Sequence, residues 1–228
     1  MRRMVTPELM DAEAWTTPEL GVALADLGRI NRWFGGIGTM VSMLERVARR
    51  SGARELSMLD VGGAGGDLAR AAVGRLEPRG IKLRVAVADR AASHLDRTLL
   101  GVAGDATALP FRDRSFDVVG CSLLVHHLAP RQVRQFVVEA LRVCRLAVLI
   151  NDLRRSPVHL ALVYAGFPLY RSPLTRNDGP ASVRAAYTPS EMRELLRDVP
   201  GSIEVTNHYL YRMAVIVWKN RREDFTRK

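Results

Sequence analysis

A glycine-rich turn at the end of a short apolar run constrains the fold of this chain more than any other feature. Residues 57–67 read SMLDVGGAGGD, with four glycines among the five positions 62–66. Glycine permits backbone conformations that side chains forbid, and it lets a ligand approach the main chain closely. A strand that leads into such a turn and then into a helix is typical of the ligand-binding edge of an α/β sheet.

The sequence around the turn alternates apolar runs with segments of helical character. From residue 56 the runs are LSMLDV, LRVAVAD, FDVVGCSLL and LAVLIND, and candidate helices such as DLARAAVGRL and RQVRQFVVEALRVC stand between them. This alternation predicts a mostly parallel sheet with helices on both faces. The closing segment IEVTNHYLYRMAVIVWK has two β-rich runs with no room for a helix between them, so we expect an antiparallel C-terminal hairpin.

Two stretches lie outside this alternation. Residues 1–50 contain apolar side chains near helical spacing, interrupted at Gly35-Gly36, and they predict an N-terminal helical lid or extension. We predict one ligand-binding domain at 51–228. Within it, a proline-punctuated insert at about 153–187 has an apolar centre and is expected to cover the edge of the sheet.

Composition narrows the functional classes. The 228 residues suit one well-cored domain, and no apolar run is long enough to span a bilayer. The start of the chain does not read as a secretion signal, so we expect a cytoplasmic protein with free cysteines. The net charge of +10 comes from arginines scattered along the chain, 31 against 3 lysines, which does not favour a nucleic-acid-binding tract.

Three acidic residues stand where apolar runs end. Asp60 precedes the glycines, where a carboxylate would face a cation or an amino group and would repel a pyrophosphate. Asp89 ends the run VAVAD, where a carboxylate can accept both hydroxyls of a ribose. Asp105 stands at a later turn on the same predicted edge and can accept a hydrogen bond from an adenine amino group. Together they indicate an adenosine ligand with a cationic end.

These segments, across about residues 56–150, resemble the class I S-adenosylmethionine-dependent methyltransferases. The first motif of that family, D-x-G-x-G-x-G, is matched by Asp60, Gly62 and Gly66, with Ala64 in place of the middle glycine. GDATALPFRDRSFDVVGCSLLVHHL is similar to the third and fourth motifs. The fold we therefore expect is a Rossmann-like α/β sheet of seven strands. The resemblance implies S-adenosylmethionine as cofactor, without a metal, and these cofactor-binding residues: Asp60, Gly62, Gly63, Ala64, Gly65, Gly66, Asp89, Arg90, Asp105, Ala106, Cys121, Ser122 and Leu123.

Two histidines follow the predicted fourth strand at the edge where the methyl group would lie. If the acceptor is a hydroxyl, a base that takes its proton assists the transfer, and histidine is the usual residue for this. We therefore name His126 and His127 as catalytic candidates, one of them a base or an orienting donor. The alternative is that the pair only shapes the pocket or contacts the cofactor.

The acceptor is expected to meet the helical extension and the insert. Trp33 and Phe34 are candidates for a lid over an apolar, partly aromatic surface of the insert, formed by Leu160, Leu162, Val163, Tyr164, Phe167, Leu169 and Tyr170. Residues 151–156 and 175–180 resemble a bacterial branch of ubiquinone/menaquinone-type methyltransferases that accompany type III polyketide synthases. That resemblance implies O-methylation of a small phenolic or polyketide-derived acceptor, with Arg154, Arg155 and His159 near it.

Other functions stay open at this point. A C-methyltransferase acting on a quinone-like ring would use nearly the same residues. Further alternatives are an RNA methyltransferase, a non-catalytic S-adenosylmethionine-binding protein and a nicotinamide enzyme. The chain lacks the Asn/Asp-Pro-Pro-aromatic run and the Pro-Cys pair by which nucleic-acid methyltransferases are recognised. We expect a monomer or homodimer with a small-molecule partner, no nucleic acid and no membrane span.

Overall fold

The computed structural model describes residues 1–11, 17–90, 92, 95 and 99–220. They contain one seven-stranded sheet with the order β3-β2-β1-β4-β5-β7-β6. The strands are β1 (Glu55–Val61), β2 (Lys82–Asp89), β3 (Leu100–Ala103), β4 (Phe116–Ser122), β5 (Cys144–Leu153), β6 (Ser202–His208) and β7 (Arg212–Trp218). Strands β1 to β5 pair in parallel, and β7 runs antiparallel to both β5 and β6. The predicted Rossmann-like fold and its C-terminal hairpin are confirmed.

Seven α-helices accompany the sheet in the described residues. They are α1 (Thr17–Trp33), α2 (Gly36–Ser51), α3 (Asp67–Leu76), α4 (Pro130–Val143), α5 (Pro157–Ala165), α6 (Pro173–Ala185) and α7 (Pro189–Leu196). Helices α4 and α7 pack with the sheet in one apolar cluster, and α2 and α3 pack with it in a second. No helix of these ranges combines the length and apolar character that a bilayer crossing requires.

Helix α2 lies within the stretch predicted as a lid or extension, and it contributes to the core. Its residues Met40, Met43 and Leu44 are fully buried in the cluster that contains strand residues of β1 and β5. Burial of such side chains contributes about 1.5–3 kcal/mol each, which fixes α2 against the sheet. The division at residue 50 stays a prediction, and residues 12–16, 91, 93–94, 96–98 and 221–228 of the two predicted parts lie outside the described residues.

The first ten residues form an N-terminal arm that runs along the insert. The backbone N–H groups of Leu9 and Met10 donate to the carboxylate of Asp178 on α6, at 2.8 and 3.0 Å. The Arg3 guanidinium donates to the carbonyl oxygens of Ala185 and His126. The arm therefore crosses the edge of the sheet where β4 ends.

Candidate cofactor and acceptor site

The glycine-rich turn after β1 bends sharply before α3 begins at Asp67. Gly62, Ala64 and Gly66 have φ angles of 70°, 44° and 72°, in the left-handed region that favours glycine. The N–H of Gly66 donates to the carbonyl of Gly63 at 2.8 Å and closes the turn. The turn thus leads directly into the N-terminus of α3, where the helix dipole favours electronegative groups of a ligand.

Two other glycines of the turn serve different purposes. A Cβ atom at Gly63 would lie 2.7 Å from Oδ2 of Asp60 and 3.0 Å from Cγ1 of Val87, so no side chain fits there. A Cβ atom at Gly65 would have no atom within 4 Å. Gly63 is therefore required by packing beneath the turn, whereas Gly65 leaves open space beside it.

Asp60 lies beneath this turn as a buried carboxyl group. Its Oδ1 atom has no hydrogen-bond partner among the described residues. Burial, and after it the negative charge of Asp89, raises the pKa of Asp60 to about 7. A buried carboxylate without a donor is stabilised by a cationic group, so this position suits the amino end of a ligand.

Asp89 ends β2, the strand beside β1. Its Oδ2 atom accepts a hydrogen bond from the N–H of Ala64 at 3.0 Å, which ties the glycine turn to the neighbouring strand. Arg90 follows at an exposed position. The turn and the Asp89 carboxylate therefore form one continuous surface at the carboxyl edge of the sheet.

Asp105 and Ala106 follow β3 on the same edge. Asp105 is exposed, and its Oδ1 accepts hydrogen bonds from the N–H and the hydroxyl of Thr107, both at 2.6 Å. These hydrogen bonds, with the nearby charge of Arg90, hold the pKa of Asp105 below its usual value. The carboxylate is thus ionised and fixed in orientation next to the segment that carries Arg90.

The end of β4 completes this edge with Cys121, Ser122 and Leu123. Burial, with the charges of Asp152 and Asp60, raises the pKa of the Cys121 thiol well above its usual value, so it stays neutral. Leu123 has a φ of 56° and turns the chain into the short helix Val125–His127. All predicted cofactor-binding residues therefore meet at one edge of the sheet; their role in binding stays a prediction.

His126 lies in a buried ion pair with Asp152, the acid that β5 places opposite it. The Nδ1 atom of His126 is 2.6 Å from Oδ1 of Asp152, and its Nε2 is 3.5 Å from Oε1 of Glu8. Although burial lowers the pKa of His126, the charges and hydrogen bonds of the two carboxylates raise it to about 10. His126 is therefore an imidazolium held between two acids, an arrangement that does not suit a proton acceptor.

His127 is the more accessible histidine. Its side chain is 27% exposed, and its Nε2 atom is 3.7 Å from Oε2 of Glu8. The two imidazole rings lie 4.3 Å apart between centroids. Of the two catalytic candidates, the geometry favours His127 for contact with an acceptor.

Glu8 is a site residue that sequence reasoning did not identify. The hydroxyl of Ser182 donates to its Oε1 at 2.6 Å, and both histidines face its carboxylate. Burial raises the pKa of Glu8, but its hydrogen bond to His126 and the charges of both histidines outweigh this and lower it. No signal in the sequence links position 8 to positions 126 and 127, because the arm reaches them only through its contacts with α6.

Glu8, His126 and His127 also have the composition of a metal site. Their ligand atoms lie within 4.8 Å of one another, a spacing that a divalent transition metal could bridge. The ion pairs of His126 with Asp152 and Glu8 account for the same geometry without an ion. We therefore assign the cluster to a buried charge network.

The predicted lid and apolar insert meet at the same edge. Trp33 and Phe34 line a small cleft of about 10 Å³ together with Leu169 and Tyr170. A space of that size holds about one water molecule, so an acceptor at this place requires the side chains to separate. The lid residues and part of the predicted acceptor surface are thus in contact.

The three polar residues predicted near the acceptor have structural contacts. Arg155 is buried and donates to the carbonyl oxygens of Met1 and Ala186 and to the carboxylate of Glu191. The guanidinium of Arg154 lies 4.7 Å from the ring centroid of Tyr211, and the ring of His159 stacks on the same tyrosine at 5.2 Å. Arg155 therefore anchors the N-terminal arm, and the other two hold the turn between β6 and β7.

Comparisons with known proteins agree with this architecture. Residues 59–147, less than half of the chain, match the family model described as a methyltransferase domain. No curated protein matches the sequence. A methyltransferase structure from Aquifex aeolicus, described as SAM dependent, has a TM-score of 0.59 at 16% identity and covers 89% of this chain and 98% of its own.

Two further solved structures share the fold. The plantazolicin methyltransferase BpumL, in complex with a triazolic desmethylPZN analog and SAH, has a TM-score of 0.65 at 12% identity, covering 88% of this chain and 90% of its own. The CMeT domain of the citrinin polyketide synthase has a TM-score of 0.55 at 14% identity, covering 81% of this chain and 52% of its own. At these identities the likeness establishes the fold.

Proposed function

We propose that this chain methylates a hydroxyl group of a small phenolic or polyketide-derived acceptor. Its fold and its match to a methyltransferase domain support an S-adenosylmethionine-dependent methyltransferase. The observation that carries the proposal is the meeting of two sets of residues at one edge of the sheet. One set is the glycine turn with Asp60 and Asp89, and the other is the pair of His127 and Glu8 beside the apolar insert.

The chain's own residues fit the proposed cofactor. The unpartnered carboxyl oxygen of Asp60 suits the amino group of the methionine portion, and Gly65, where a Cβ atom would have no atom within 4 Å, leaves space for that portion beside the turn. Asp89 would accept the ribose hydroxyls, while Asp105 and Ala106 would border the adenine. When bound, S-adenosylmethionine supplies an electrophilic methyl group on a sulfonium. The protein's contribution is to align that group with the acceptor and to exclude water.

The acceptor hydroxyl becomes a better nucleophile when a base takes its proton. We assign this role to His127, because it is partly exposed and has a carboxylate, Glu8, 3.7 Å from its Nε2 to stabilise the imidazolium that forms. His126 is held as an imidazolium by Asp152 and Glu8 and acts as a positioning residue. The arm that carries Glu8 would therefore be part of the active enzyme.

The insert supports an apolar acceptor. Tyr170 is buried, and the remaining residues of the predicted acceptor surface are half-buried or exposed along α5 and the segment that follows. One structural neighbour is a domain of the citrinin polyketide synthase, and another was crystallised with a desmethylPZN analog. These neighbours support a small-molecule acceptor, and the phenolic class is our proposal.

Isothermal titration with S-adenosylmethionine and S-adenosylhomocysteine tests the cofactor assignment first. We expect wild type to bind both ligands and Asp89→Ala to bind them at least about 100-fold more weakly, through loss of paired hydrogen bonds to the ribose. Asp113→Ala is the matched control, because Asp113 is 73% exposed and outside the predicted cofactor residues. Equal binding by wild type and Asp89→Ala would contradict the assignment.

Methyl transfer to alkylated phenols, followed by mass spectrometry and NMR of the product, tests the acceptor. A methoxy carbon in the product supports O-methylation. A new methyl group on a ring carbon would contradict O-methylation and support the C-methyltransferase alternative. His127→Gln should lower kcat by about 100-fold or more while leaving S-adenosylhomocysteine affinity unchanged. Full turnover by His127→Gln would remove the base assignment.

A further inference from the structure

Helix α5 is apolar all round and yet buries little of its surface. Its sequence, PVHLALVYA, has no acidic residue, lysine or arginine, and His159 is its only buried residue. We define an apolar edge patch by six residues that are 44–70% exposed: Trp33, Val158, Leu162, Tyr164, Leu169 and Tyr209. Contiguous exposed apolar surface of this kind marks an interaction site more often than a folding requirement.

The residues of the patch lie on elements that contact one another. Trp33 at the end of α1 and Leu169 after α5 line the same small cleft. Tyr209 follows β6, and its carbonyl oxygen lies against Gly35, only two residues after Trp33. The stacking of His159 on Tyr211 joins the first turn of α5 to the same β6–β7 turn. The patch thus lies at the carboxyl edge of the sheet, on the acceptor side.

Arginines surround the patch. Four of them, Arg154, Arg171, Arg176 and Arg184, lie within residues 153–187, where Asp178 is the only acid. The other arginine of this segment, Arg155, is buried against Glu191 and does not belong to the rim. Asp178 is buried and accepts hydrogen bonds from the N-terminal arm, so its negative charge does not neutralise the arginines at the surface. Arg32 adds an exposed positive charge beside Trp33. The rim of the patch is therefore positive.

We propose that the apolar edge patch docks this protein on the surface of a bilayer that contains anionic lipids. Apolar side chains insert at the boundary of headgroups and acyl chains, tryptophan and tyrosine favour that boundary, and arginines pair with anionic headgroups. The patch offers all three beside the proposed acceptor edge. Lipid docking itself does not depend on the proposed function. Docking would also bring an acceptor dissolved in the lipid to the site, and this second part rests on the proposed function.

A second copy of the chain fits this patch less well. In a two-fold dimer each patch would face its own copy, and the arginine rims would come close together. Like charges across an interface oppose association, whereas an anionic headgroup layer complements the same rim. Charge complementarity therefore favours the lipid surface.

Co-sedimentation with vesicles tests the proposal on the full chain. We expect binding to vesicles of phosphatidylcholine mixed with phosphatidylglycerol, little binding to phosphatidylcholine alone, and weaker binding as salt increases. Arg32→Gln combined with Arg171→Gln should weaken binding by about 25-fold, since each arginine near an anionic surface contributes about fivefold. Equal binding to both vesicle types would overturn the anionic-lipid assignment.

The apolar contribution needs its own variant. Val158→Glu combined with Tyr209→Glu should weaken vesicle binding by about 10-fold or more, because both side chains are more than half exposed and would leave the lipid boundary. Val138→Glu is the matched control, as Val138 is 49% exposed on α4 and outside the patch. S-adenosylhomocysteine titration and thermal unfolding verify that the variants remain folded.

The outcomes separate this proposal from the enzymatic one. Vesicle binding that Val158→Glu with Tyr209→Glu leaves unchanged would overturn the docking surface. A second result would also overturn it: wild type does not bind vesicles but forms a dimer, measured by light scattering, and Val158→Glu with Tyr209→Glu abolishes that dimer. The patch would then hold a second copy of the chain. Failure of S-adenosylmethionine binding together with normal vesicle binding would contradict the proposed function and leave the docking surface standing.

Discussion

The cofactor turn shows how neighbouring glycines can have different physical roles. Gly63 lies so close to Asp60 and Val87 that a Cβ atom would be 2.7 Å from the Asp60 carboxylate. Gly65, two residues later, has open space where its Cβ atom would be. The repeated letter in the sequence does not distinguish them, since the difference comes from β1 and β2 packing under one half of the turn.

This difference predicts unequal effects of alanine at the two positions. Gly63→Ala should lower the free energy of unfolding by about 1–3 kcal/mol, because Asp60 and Val87 must shift to admit the methyl group. Gly65→Ala should change it by less than about 0.5 kcal/mol, since neither a clash nor a positive φ angle opposes it. Denaturant unfolding without cofactor measures both. Equal effects of the two substitutions would show that the turn is not packed as described.

At the scale of elements, the N-terminal arm depends on polar contacts with the insert and the site. Arg3 donates to main-chain carbonyls at 126, 128 and 185, and its guanidinium lies 4.1 Å from the ring centroid of Tyr187. Glu8 completes the attachment through Ser182 and the two histidines. The arm therefore links the insert to the end of β4.

Glu8→Gln should lower the free energy of unfolding by about 2 kcal/mol near neutral pH, because it removes a charged partner of buried His126. The raised pKa of His126, about 10, means that its ionised form stabilises the fold fully below about pH 6.5. This contribution is lost as the pH rises through about 10. The difference between wild type and Glu8→Gln should therefore shrink between neutral pH and pH 10.

Denaturant unfolding of both proteins at several pH values measures this difference, and the comparison cancels other groups that titrate above pH 9. The difference should also decrease at acid pH, since the lowered pKa of Glu8 means that its stabilisation is lost as the carboxylate is protonated. Glu194→Gln, in an exposed ion pair on α7, is the matched control with an expected change below about 1 kcal/mol. A pH-independent difference would argue against an ionised His126.

The sequence was sufficient to predict which site residues lie together where the order of strands and helices along the chain determines their positions. Asp60, Asp89 and Asp105 end or follow successive strands, and parallel strands bring their carboxyl ends to one edge, so their proximity follows from the order of elements. Glu8 and the exposed surface of α5 could not be found this way. The position of Glu8 depends on hydrogen bonds between the arm and Asp178, and the exposure of α5 depends on the packing of its neighbours, which apolar periodicity does not reveal.

The whole molecule is held together by one sheet with an apolar cluster on each face. Strands β1, β2, β4, β5 and β7 contribute residues to both clusters, so neither face can lose its packing without exposing the strands of the other. The glycine turn and Asp89 are direct continuations of β1 and β2. A ligand at this edge would therefore stabilise the same cooperative unit that contains the core.

This coupling predicts one unfolding transition that shifts with ligand. Far-ultraviolet circular dichroism and calorimetry should give coincident midpoints, and S-adenosylhomocysteine at about 100 times its Kd should add about 2.7 kcal/mol. For a domain of this size that corresponds to an increase in Tm of about 5–11 °C. Asp89→Ala at the same ligand concentration should show about a seventh of this increase or less, whereas Asp113→Ala should show all of it. Two separate transitions, with only one of them sensitive to ligand, would mean that the cofactor edge unfolds independently of the core.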